Sequence, residues 1–366
     1  MNIALLMSLA SPWGRQIVNI LADVGNRIDI ITFDGEGDSG YGAGQQGIKQ
    51  LTSRVHGVHR IKSRLGDKLK YFVGANQLRR ALNGLDVEHL VTLYGGGFGT
   101  MAWLSGFRPF SIYAVGSDVL LCEGVRRNFA RWAMRSASYV FVNGEYLAEQ
   151  TRRLCPEASV VPLLMGIDLD RYSFSARQGE KVQILNNRKF EDIYNNELIL
   201  QALKNPVLDP GRFEIVFASG GRNLEAAVDW ADRELSQATR KAVTFRGGVS
   251  DADMLGLLKS SDIFVSMSRS DGTATSMLEA LACGLFPILS DIPQNREWVA
   301  RQDGFLIDVE DRDALAAALA TAVDDECLRE RAAKNNRAKV EARADGRQNL
   351  ERMTAILMRG GHNGKN

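Results

Sequence analysis

The sequence has few cysteines and histidines, and no two cysteines stand close together. Its 366 residues include four of each. The cysteines are widely scattered and lack the C-x-x-C spacing of zinc or redox sites: Cys122, Cys155, Cys283 and Cys327. The histidines likewise lack partners for a metal site. We therefore expect free thiols, without a disulfide framework or a structural metal.

Long apolar runs and an excess of one charge are also missing. No apolar stretch reaches the length of a membrane span, and the N-terminus enters a predicted strand at Asn2 without a basic and apolar leader. The 45 Lys and Arg against 44 Asp and Glu leave a net charge of +1, which argues against nucleic acid as the main partner. These features predict a cytoplasmic globular protein.

The chain alternates short apolar runs with helical or loop segments, in two similar halves. The first half predicts strands at 3–9, 28–33, 89–94, 111–115, 139–142 and 160–164. The second half predicts strands at 182–185, 214–218, 243–245, 263–266, 286–289 and 305–307. This alternation predicts an α/β fold with two Rossmann-like, doubly wound domains, and two such domains facing each other would form a cleft.

The most informative segment is 268–299. A buried strand is predicted before it, a turn at 270–272, and a helix from Thr273 that Gly284 ends as a C′ residue. This order directs the helix N-terminus and its free N–H groups out of the sheet edge, where a diphosphate would bind. The residues of this turn that are candidates for binding the diphosphate are Gly272, Thr273, Ala274, Thr275 and Ser276.

Two acidic residues flank that helix start. Asp271 lies just before the helix and Glu279 lies within it. A carboxylate accepts two hydroxyl groups at once, so one acid suits the ribose of a nucleotide and the other the hydroxyls of a sugar.

These residues resemble the retaining glycosyltransferases of family 4, in the GT-B superfamily, whose signature is a Glu-x7-Glu pair in a run like EGxPxxLLEAMACGxPVIA. Asp271, one methylene shorter than the usual Glu, occupies the first acidic position, and Glu279 occupies the second. Other positions match as well: Gly272, Ala280, Cys283, Gly284 and Pro287. The resemblance implies an acceptor-binding domain at 1–165, a nucleotide-sugar-binding domain at 166–345, and a C-terminal helix within 346–366 that crosses back to the first domain.

The resemblance extends to other parts of the second half. Arg188 stands where the family has an arginine that contacts the donor diphosphate, and a guanidinium suits such oxygens. The family's usual lysine five positions later is Ile193 here, which leaves Lys189 or Arg222 as candidate substitutes. The run TFRGGVS resembles the one that lines the nucleotide base, and its candidates are Gly248, Val249 and Ser250.

The first half matches the family less closely. Gly14 alone resembles the family's glycine-rich loop after the first strand, near the donor phosphates. Trp13 and Arg15 are candidate acceptor contacts, although Trp13 could equally pack between strand and helix. Gly96 and Gly97 belong to a glycine run after a strand, where an acceptor could approach the backbone closely.

Asp118 follows another strand of the first half, in a region where many relatives place an active-site histidine. This chain has no histidine there, and Ser117 with Asp118 resembles a GSD variant of the family. Asp118 is therefore the candidate that orients the reacting hydroxyl, with a helix N-cap as the alternative role.

The chemistry that the resemblance implies is transfer of a sugar from a nucleotide-diphosphate sugar with retention at the anomeric carbon. Arg188 and the helix N-terminus would stabilise the departing diphosphate, so no metal or other cofactor is expected. The catalytic candidates are Asp118, Asp271 and Arg188. No DxD-type cluster is predicted in a suitable loop, and the run at 251–253, which fits those letters, is predicted to be the capping turn of a helix.

Three alternatives stand beside this hypothesis. Glycine runs at 35–40 and 42–47 match the dinucleotide fingerprint, but they follow the second strand instead of the first, and Asp34, Glu36 and Asp38 would repel a pyrophosphate. This context disfavours an NAD-dependent oxidoreductase. A nucleotide-sugar-binding protein without turnover is a second alternative. Glycosylation of natural products, instead of polysaccharide or glycoconjugate biosynthesis, is the third.

A membrane surface is a further candidate partner. The segment 62–80 mixes basic and apolar residues, and four arginines add positive charge in the same half: Arg126, Arg127, Arg131 and Arg135. Such a domain could rest on the anionic inner face of the plasma membrane and reach a lipid-linked acceptor. A solvated basic helix face is the alternative.

Overall fold

The computed structural model describes residues 1–9, 11–33, 53–62, 70–120, 122–174 and 179–362. The glycine runs at 35–47, and residues 63–69 of the predicted membrane segment, lie outside the described residues. The described chain divides into two compact units, one made of 1–165 with 346–366 and the other of 166–345.

The first domain is a seven-stranded, all-parallel sheet between helices. Its strands are β1 (Asn2–Leu6), β2 (Arg27–Phe33), β3 (Gly57–Ile61), β4 (His89–Leu93), β5 (Phe110–Ala114), β6 (Val140–Val142) and β7 (Val160–Pro162), in the order β3-β2-β1-β4-β5-β6-β7. Its helices are Pro12–Asp23, Lys70–Asn83, Gly97–Ser105, Ser117–Leu120, Gly124–Ser136, Glu145–Leu154 and Gly346–His362.

Both faces of this sheet are buried, as β1 illustrates. Ala4 and Leu6 belong to one hydrophobic cluster, while Ile3 and Leu5 belong to another, because successive side chains of a strand point to opposite faces. Strands covered on both sides are therefore continuously apolar, which is typical of parallel sheets. The C-terminal helix Gly346–His362 adds three residues to the second of these clusters: Leu350, Met353 and Leu357.

The second domain repeats this architecture with six parallel strands. They are β8 (Val182–Asn186), β9 (Phe213–Phe217), β10 (Val243–Phe245), β11 (Ile263–Ser266), β12 (Phe286–Ser290) and β13 (Phe305–Ile307), in the order β10-β9-β8-β11-β12-β13. The α-helices are Asn196–Ala202, Leu224–Glu234, Gln237–Lys241, Asp251–Ser260, Thr275–Ala282, Pro293–Arg296, Arg312–Asp324 and Glu326–Arg343, and Asp192–Tyr194 forms a 3₁₀ turn.

The predicted α/β class with two doubly wound domains is confirmed. The structure differs from the prediction in where some strands end and in one additional strand. The first strand ends at Leu6 instead of residue 9, and β3 was not among the predicted strands. Among the helices in the described residues, none is both long and apolar enough to cross a bilayer.

Each sheet has one point at which the strand order reverses. It lies between β1 and β4 in the first domain and between β8 and β11 in the second. At such a point the loops leave in opposite directions and open a crevice at the carboxyl ends of the strands, where ligands of this fold class bind. The loops that carry Arg188 and Asp271 follow β8 and β11.

The helix after β11 begins two residues later than predicted. Thr273 is not helical, because Ala274 has the extended conformation of an N-cap and the helix runs from Thr275 to Ala282. Gly284 ends it as predicted, with φ of +81°. Its N–H bonds Leu281 O at 3.1 Å, and the Leu285 N–H bonds Ala280 O at 3.0 Å, which is the hydrogen-bond pattern of a Schellman motif.

Candidate active site

The centre of the candidate site in the second domain is Arg188. Its guanidinium donates to Ser276 Oγ at 2.7 Å through Nη1 and forms an ion pair with Asp271 through Nη2. Three residues predicted from two separate segments therefore meet at the switch point between β8 and β11. Only 12% of the Arg188 side chain is exposed, so its charge is little screened by water.

Two asparagines that the sequence analysis did not single out hold the Arg188 loop. Asn186, at the end of β8, accepts from the Arg188 N–H at 3.1 Å and donates to Val265 O at 3.0 Å on the neighbouring strand. Asn196 donates to the carbonyls of Arg188 and Lys189 at 3.1 and 3.0 Å. The ring of Tyr194 lies under the guanidinium, 4.4 Å from the centroid to Cζ. The arginine is thus fixed before any ligand arrives.

The first turn of the helix Thr275–Ala282 faces this arginine. Its N-cap residue, Ala274, has no polar side chain to accept the first N–H groups. Thr275 Oγ1 and Arg188 Nε are buried and have no hydrogen-bond partner in the described parts of the chain. Open N–H groups, a hydroxyl and a guanidinium together form a site suited to an anion.

Asp271 faces the arginine and the start of this turn. Its Oδ1 accepts from the Gly272 N–H at 2.9 Å, while its Oδ2 pairs with Arg188. Burial raises the pKa of the Asp271 carboxyl, and Arg188 and the Gly272 N–H oppose that rise. The carboxylate is oriented by a cation and a backbone donor.

Glu279 lies one turn further along the helix and has a different partner. The hydroxyl of Tyr172 donates a hydrogen bond to its carboxylate. Burial raises the pKa of Glu279 to about 7, and the Tyr172 hydroxyl and the charge of Arg171 lower it in part. Glu279 therefore titrates near neutral pH, unlike an ordinary glutamate.

Tyr172 comes from the segment just after the domain boundary, and contacts from three sides hold this segment. Arg337 donates to the carbonyls of both Tyr172 and Ala282, which ties the segment to the end of the helix. Arg171 donates to Asp251 O at 3.1 Å. A Cβ placed on Gly284 would lie 2.4 Å from the Phe174 ring, so the glycine allows this close packing.

The other donor-binding candidates occupy the same edge of the second sheet. A Cβ on Gly220, in the loop after β9, would lie 3.8 Å from the Gly248 nitrogen, so the loops after β9 and β10 are neighbours. Gly248 is exposed and Val249 is half-buried. The Ser250 hydroxyl accepts from the Asp253 N–H at 3.1 Å as the N-cap of Asp251–Ser260, so the predicted capping turn at 251–253 is present.

Lys189 and Arg222, the two candidate substitutes for the lysine that the family usually has at position 193, differ in their surroundings. Lys189 is exposed beside Arg188. Arg222, in contrast, pairs with Glu191 at 3.1 Å and Asp192 at 3.3 Å, so its charge is already compensated. Ile193, at the family's lysine position, is partly exposed and brings no charge.

The loop after β1 in the first domain contains three further candidates. Gly14 packs against the strand so closely that an added Cβ would lie 2.2 Å from Met7 Cε, which gives this glycine a structural role. Ser11 caps the following helix by accepting from the Gly14 N–H at 3.3 Å. Arg15 is half-buried, and the Trp13 side chain is outside the described part of the structure.

Asp118 organises the glycine loop after β4. Its Oδ2 accepts from the Gly95 N–H at 2.6 Å, and its Oδ1 accepts from Gly116 at 2.9 Å and Val115 at 3.2 Å. The alternative prediction of an N-cap is wrong, because Asp118 lies inside the helix Ser117–Leu120 and its carboxylate accepts from N–H groups of residues that precede this helix. Burial raises the pKa of Asp118, against these backbone bonds.

The glycines that Asp118 supports differ in their surroundings. The space above Gly96 is open, with no heavy atom within 4 Å of an added Cβ. Gly97 is covered, since a Cβ there would lie 2.3 Å from the Tyr71 ring. Tyr94, just before the run, has a left-handed φ of 72°, which is costly for a residue with a side chain.

Within the described ranges, no group of three or more His, Cys, Asp or Glu side chains could hold a metal ion. His56 and His59 instead share Asp29 Oδ1, at 3.2 and 2.9 Å.

Residues 176–339 match the family model of the glycosyl transferases group 1. This range contains Arg188, Asp271 and Glu279. The match lies within the second domain and covers less than half of the chain. The resemblance on which these residues were selected is therefore confirmed at the level of this group.

A curated relative matches part of this chain. The UDP-Gal:alpha-D-GlcNAc-diphosphoundecaprenol alpha-1,3-galactosyltransferase of Escherichia coli is 27% identical over 185 residues, which cover 46% of this chain and 46% of the relative. The match thus spans about half the length of that protein.

Solved structures share the fold across the whole chain. The crystal structure of Anabaena Alr3699/HepE in complex with UDP has a TM-score of 0.79 and 15% identity, covering 98% of this chain and 100% of that one. Sucrose-phosphate synthase from Thermosynechococcus elongatus has a TM-score of 0.79 and 16% identity, covering 98% of each chain. The chain has the two-domain, Rossmann-like GT-B fold, as predicted.

Proposed function

We propose that this chain is a retaining glycosyltransferase of family 4 that moves a sugar from a nucleotide-diphosphate sugar to a hydroxyl of a glycan, glycolipid or lipid-linked acceptor. One observation carries the proposal: Arg188, after β8, contacts both Asp271 and Ser276, which follow β11 at the switch point. A cation and an open helix N-terminus stabilise the negative charge that cleavage of a sugar–diphosphate bond leaves on the diphosphate. The setting would be polysaccharide or glycoconjugate biosynthesis in the cytoplasm.

In this proposal the diphosphate would bind at the first turn of Thr275–Ala282. The N–H groups of this turn, the Thr275 hydroxyl and the Arg188 guanidinium would bind its oxygens, with Gly272 and Thr273 forming the preceding loop. As the bond to the anomeric carbon breaks, negative charge develops on the diphosphate and strengthens these contacts. Exposed Lys189 adds a cation beside them.

The remaining donor groups divide between two acids and one loop. Asp271, oriented by Arg188, would accept hydroxyls of the transferred sugar, and Glu279 would accept the ribose hydroxyls in place of the Tyr172 hydroxyl. Gly248, Val249 and Ser250 would lie along the base. Asp118, Trp13, Arg15, Gly96 and Gly97 of the first domain are proposed for the acceptor, and Gly14 for the donor phosphates.

The names of the similar proteins indicate where to begin with donor and acceptor. The Escherichia coli relative is named for a UDP-galactose donor and a diphosphoundecaprenol-linked acceptor, and Anabaena HepE was crystallised with UDP and with UDP-glucose. These names support a uridine diphosphate sugar as the first donor to test and a lipid-linked acceptor as the first acceptor. Without a metal, the charge on the diphosphate would be balanced by Arg188 and the helix N-terminus.

Donor hydrolysis by the purified full-length protein tests the proposal. Wild-type protein would be offered UDP-, GDP-, ADP- and dTDP-sugars, with and without chelator, beside Glu279→Ala and the control Glu310→Ala, which removes an exposed acid of the same domain. We expect one nucleotide sugar to be cleaved, with chelator and the control change having no effect and Glu279→Ala abolishing cleavage. The anomeric configuration of the product, read by NMR, then tests retention.

The same assay separates the alternatives. Tight binding of a nucleotide sugar without cleavage, with lipid and sugar acceptors present, would identify a binding protein that lacks turnover. Transfer to small natural products but not to lipid-linked sugars would assign the enzyme to natural-product glycosylation. Absence of nucleotide-sugar binding would contradict the proposed function.

A further inference from the structure

Tyr94, at the end of β4, has a backbone conformation that its side chain disfavours. Within the described residues, two residues other than glycine have a left-handed φ, Tyr94 at 72° and Asn195 at 52°. Asparagine is tolerated in this region because its short amide bonds the local backbone, whereas an aromatic residue there is strained. Such strain persists only where the surrounding structure enforces it, and it clusters at functional sites. The strain at Tyr94 therefore points to a use for its side chain.

Backbone hydrogen bonds on both sides of Tyr94 hold this conformation. Its N–H donates to Tyr113 O at 2.9 Å, so the pairing with β5 continues up to this residue. Its carbonyl accepts from the Gly99 N–H at 3.1 Å. The N–H of the next residue, Gly95, donates to Asp118 Oδ2 at 2.6 Å. Tyr94 is thus fixed from the neighbouring strand, from the following helix and from a buried carboxylate.

The strained conformation turns the Tyr94 side chain out of the alternation of β4. Leu90 belongs to the hydrophobic cluster on one face of the sheet, while Val91 and Leu93 belong to the cluster on the other face. An extended residue at position 94 would therefore face the Leu90 side alone. The Tyr94 ring instead packs against both clusters, so it lies across the end of the sheet.

The Tyr94 hydroxyl reaches the loop after β1. It forms a hydrogen bond with the hydroxyl of Ser11, which is buried and caps the helix Pro12–Asp23. The strand order of the first sheet reverses between β1 and β4, so this bond spans the switch point of the domain. The side chain is thereby held where ligands of doubly wound sheets bind.

The chemistry around Tyr94 favours a neutral ligand. Ser11 Oγ already accepts from the Gly14 N–H at 3.3 Å, so its own proton is the one shared with the Tyr94 oxygen, and Tyr94 keeps its O–H for another acceptor. Burial and the charge of Asp118 raise the pKa of the Tyr94 phenol, against the Ser11 hydrogen bond, so the phenol remains a donor at neutral pH. The same negative charge disfavours an anion beside it.

We propose that Tyr94 binds the acceptor hydroxyl in the first domain, with Ser11 and Asp118 as positioning residues that act through it. The ligand is a neutral sugar, and one of its hydroxyl oxygens accepts from the Tyr94 O–H. The open space above Gly96 gives this sugar room, since no heavy atom lies within 4 Å of an added Cβ.

This role rests on the proposed function and changes one of its assignments. Both oxygens of Asp118 accept backbone N–H groups, from Gly95 on one side and from Val115 and Gly116 on the other. The carboxylate therefore shapes the loops, and the contact with the acceptor hydroxyl passes to Tyr94.

Acceptor kinetics of the full-length protein test this role. The donor is the nucleotide sugar that wild type hydrolyses, and the acceptor probes are alpha-D-GlcNAc-diphosphoundecaprenol and the octyl glycosides of glucose, galactose and N-acetylglucosamine. Tyr94→Phe removes the hydroxyl and keeps the ring, while Ser11→Gly removes its partner with little loss of capping. The control, Tyr113→Phe, removes another bonded phenol of this domain, whose hydroxyl donates to Leu163 O at 2.5 Å. Thermal unfolding verifies that each variant is folded.

We expect Tyr94→Phe to raise KM for the acceptor about tenfold, with kcat and donor hydrolysis in water within about twofold of wild type, because one hydrogen bond to the acceptor is lost. Ser11→Gly should raise this KM by a smaller factor, and the control should leave it unchanged. An acceptor KM in Tyr94→Phe equal to that of the control, an equal loss of donor hydrolysis and transfer, or donor hydrolysis by wild type without transfer to any probe would overturn the role of Tyr94.

Saturation-transfer NMR with the octyl glycosides, without donor, separates this role from the proposed function. If wild type cleaves no nucleotide sugar, the proposed function fails, yet weaker glycoside binding by Tyr94→Phe than by the control would still support a sugar contact at Tyr94. Equal binding by these two variants would overturn that contact, whether or not wild type cleaves the donor.

Discussion

Arg188 and Asp271 form an ion pair that joins two loops leaving adjacent parallel strands. The two loops are far apart in sequence. They lie side by side because β8 and β11 are neighbouring strands of the sheet although they are not consecutive in the chain. The pair holds a cation and an acid in place before a ligand binds, and such preorganisation reduces the reorganisation needed when charge develops. Disturbing either side should therefore affect chemistry more than stability.

The change Arg188→Lys tests this expectation. A lysine ammonium is a single compact charge that can pair with Asp271 or with phosphate but cannot also hold Ser276 in a fixed fork. We expect kcat for donor hydrolysis to fall about a hundredfold. Arg222→Lys is the matched control, since Arg222 is exposed and pairs with Glu191 and Asp192. Equal effects of the two changes would argue against a special role for Arg188.

Glu279 should make donor binding depend on pH near neutrality. Burial raises its pKa from 4.5 to about 7, so the folded protein without ligand keeps this proton at pH values where the unfolded chain has lost it. Between these two pKa values, Glu279 makes the free energy of unfolding fall as the pH rises. The hydroxyls of a ribose need the ionised carboxylate, so affinity for UDP should rise about tenfold per pH unit and level off above the pKa.

Calorimetric titration with UDP on both sides of that pKa measures this dependence. Glu279→Gln keeps the shape of the side chain and removes its titration, and we expect affinity that is weak and independent of pH. A wild-type profile as flat as that of the variant would show that Glu279 does not titrate in this range or does not contact the nucleotide.

The central parts of the fold and site were accessible from the sequence because they depend on local patterns. Continuous apolar runs predicted the buried parallel strands, and Gly284 marked the helix end, where φ of +81° favours glycine. Arg188, Asp271 and Ser276 each stand at a strand end or helix start. In a parallel sheet such positions share one edge, so their meeting followed from the topology.

What could not be predicted depends on contacts between distant segments. Tyr172 lies in a connecting segment without a periodic pattern, and its approach to Glu279 is set by Arg337 and by packing of Phe174 on Gly284. The role of Asn196 was hidden for the same reason. The apolar residues of 62–80 divide between core and surface, with Leu78 buried and Phe72 exposed, and a hydrophobic stripe by itself does not reveal which residues face the core.

Tyr172→Phe should separate the hydroxyl of this residue from its ring. The hydroxyl lowers the pKa of Glu279, so its removal should move the midpoint of the pH dependence of UDP affinity to higher pH. Well above that midpoint the affinity should stay within about threefold of wild type, because UDP replaces this hydrogen bond. Tyr139→Phe in the first domain is the control, and an unchanged midpoint in Tyr172→Phe would contradict the contact.

Asp118→Asn should disturb the glycine loop of the first domain without abolishing donor cleavage. Both carboxylate oxygens accept backbone N–H groups, Oδ2 from Gly95 and Oδ1 from Gly116 and Val115, so an amide nitrogen at either position would face a donor. We expect the free energy of unfolding to fall by about 1–3 kcal/mol. If the loop binds the acceptor, KM for the acceptor should rise while hydrolysis of the donor in water is nearly unchanged.

Ser105→Ala, which removes a buried hydroxyl bonded to Ala102 O at 2.7 Å in the same domain, controls for destabilisation alone. A matching rise of KM in that variant would assign the effect of Asp118 to stability, whereas loss of donor hydrolysis in Asp118→Asn would place this carboxylate closer to the reacting atoms.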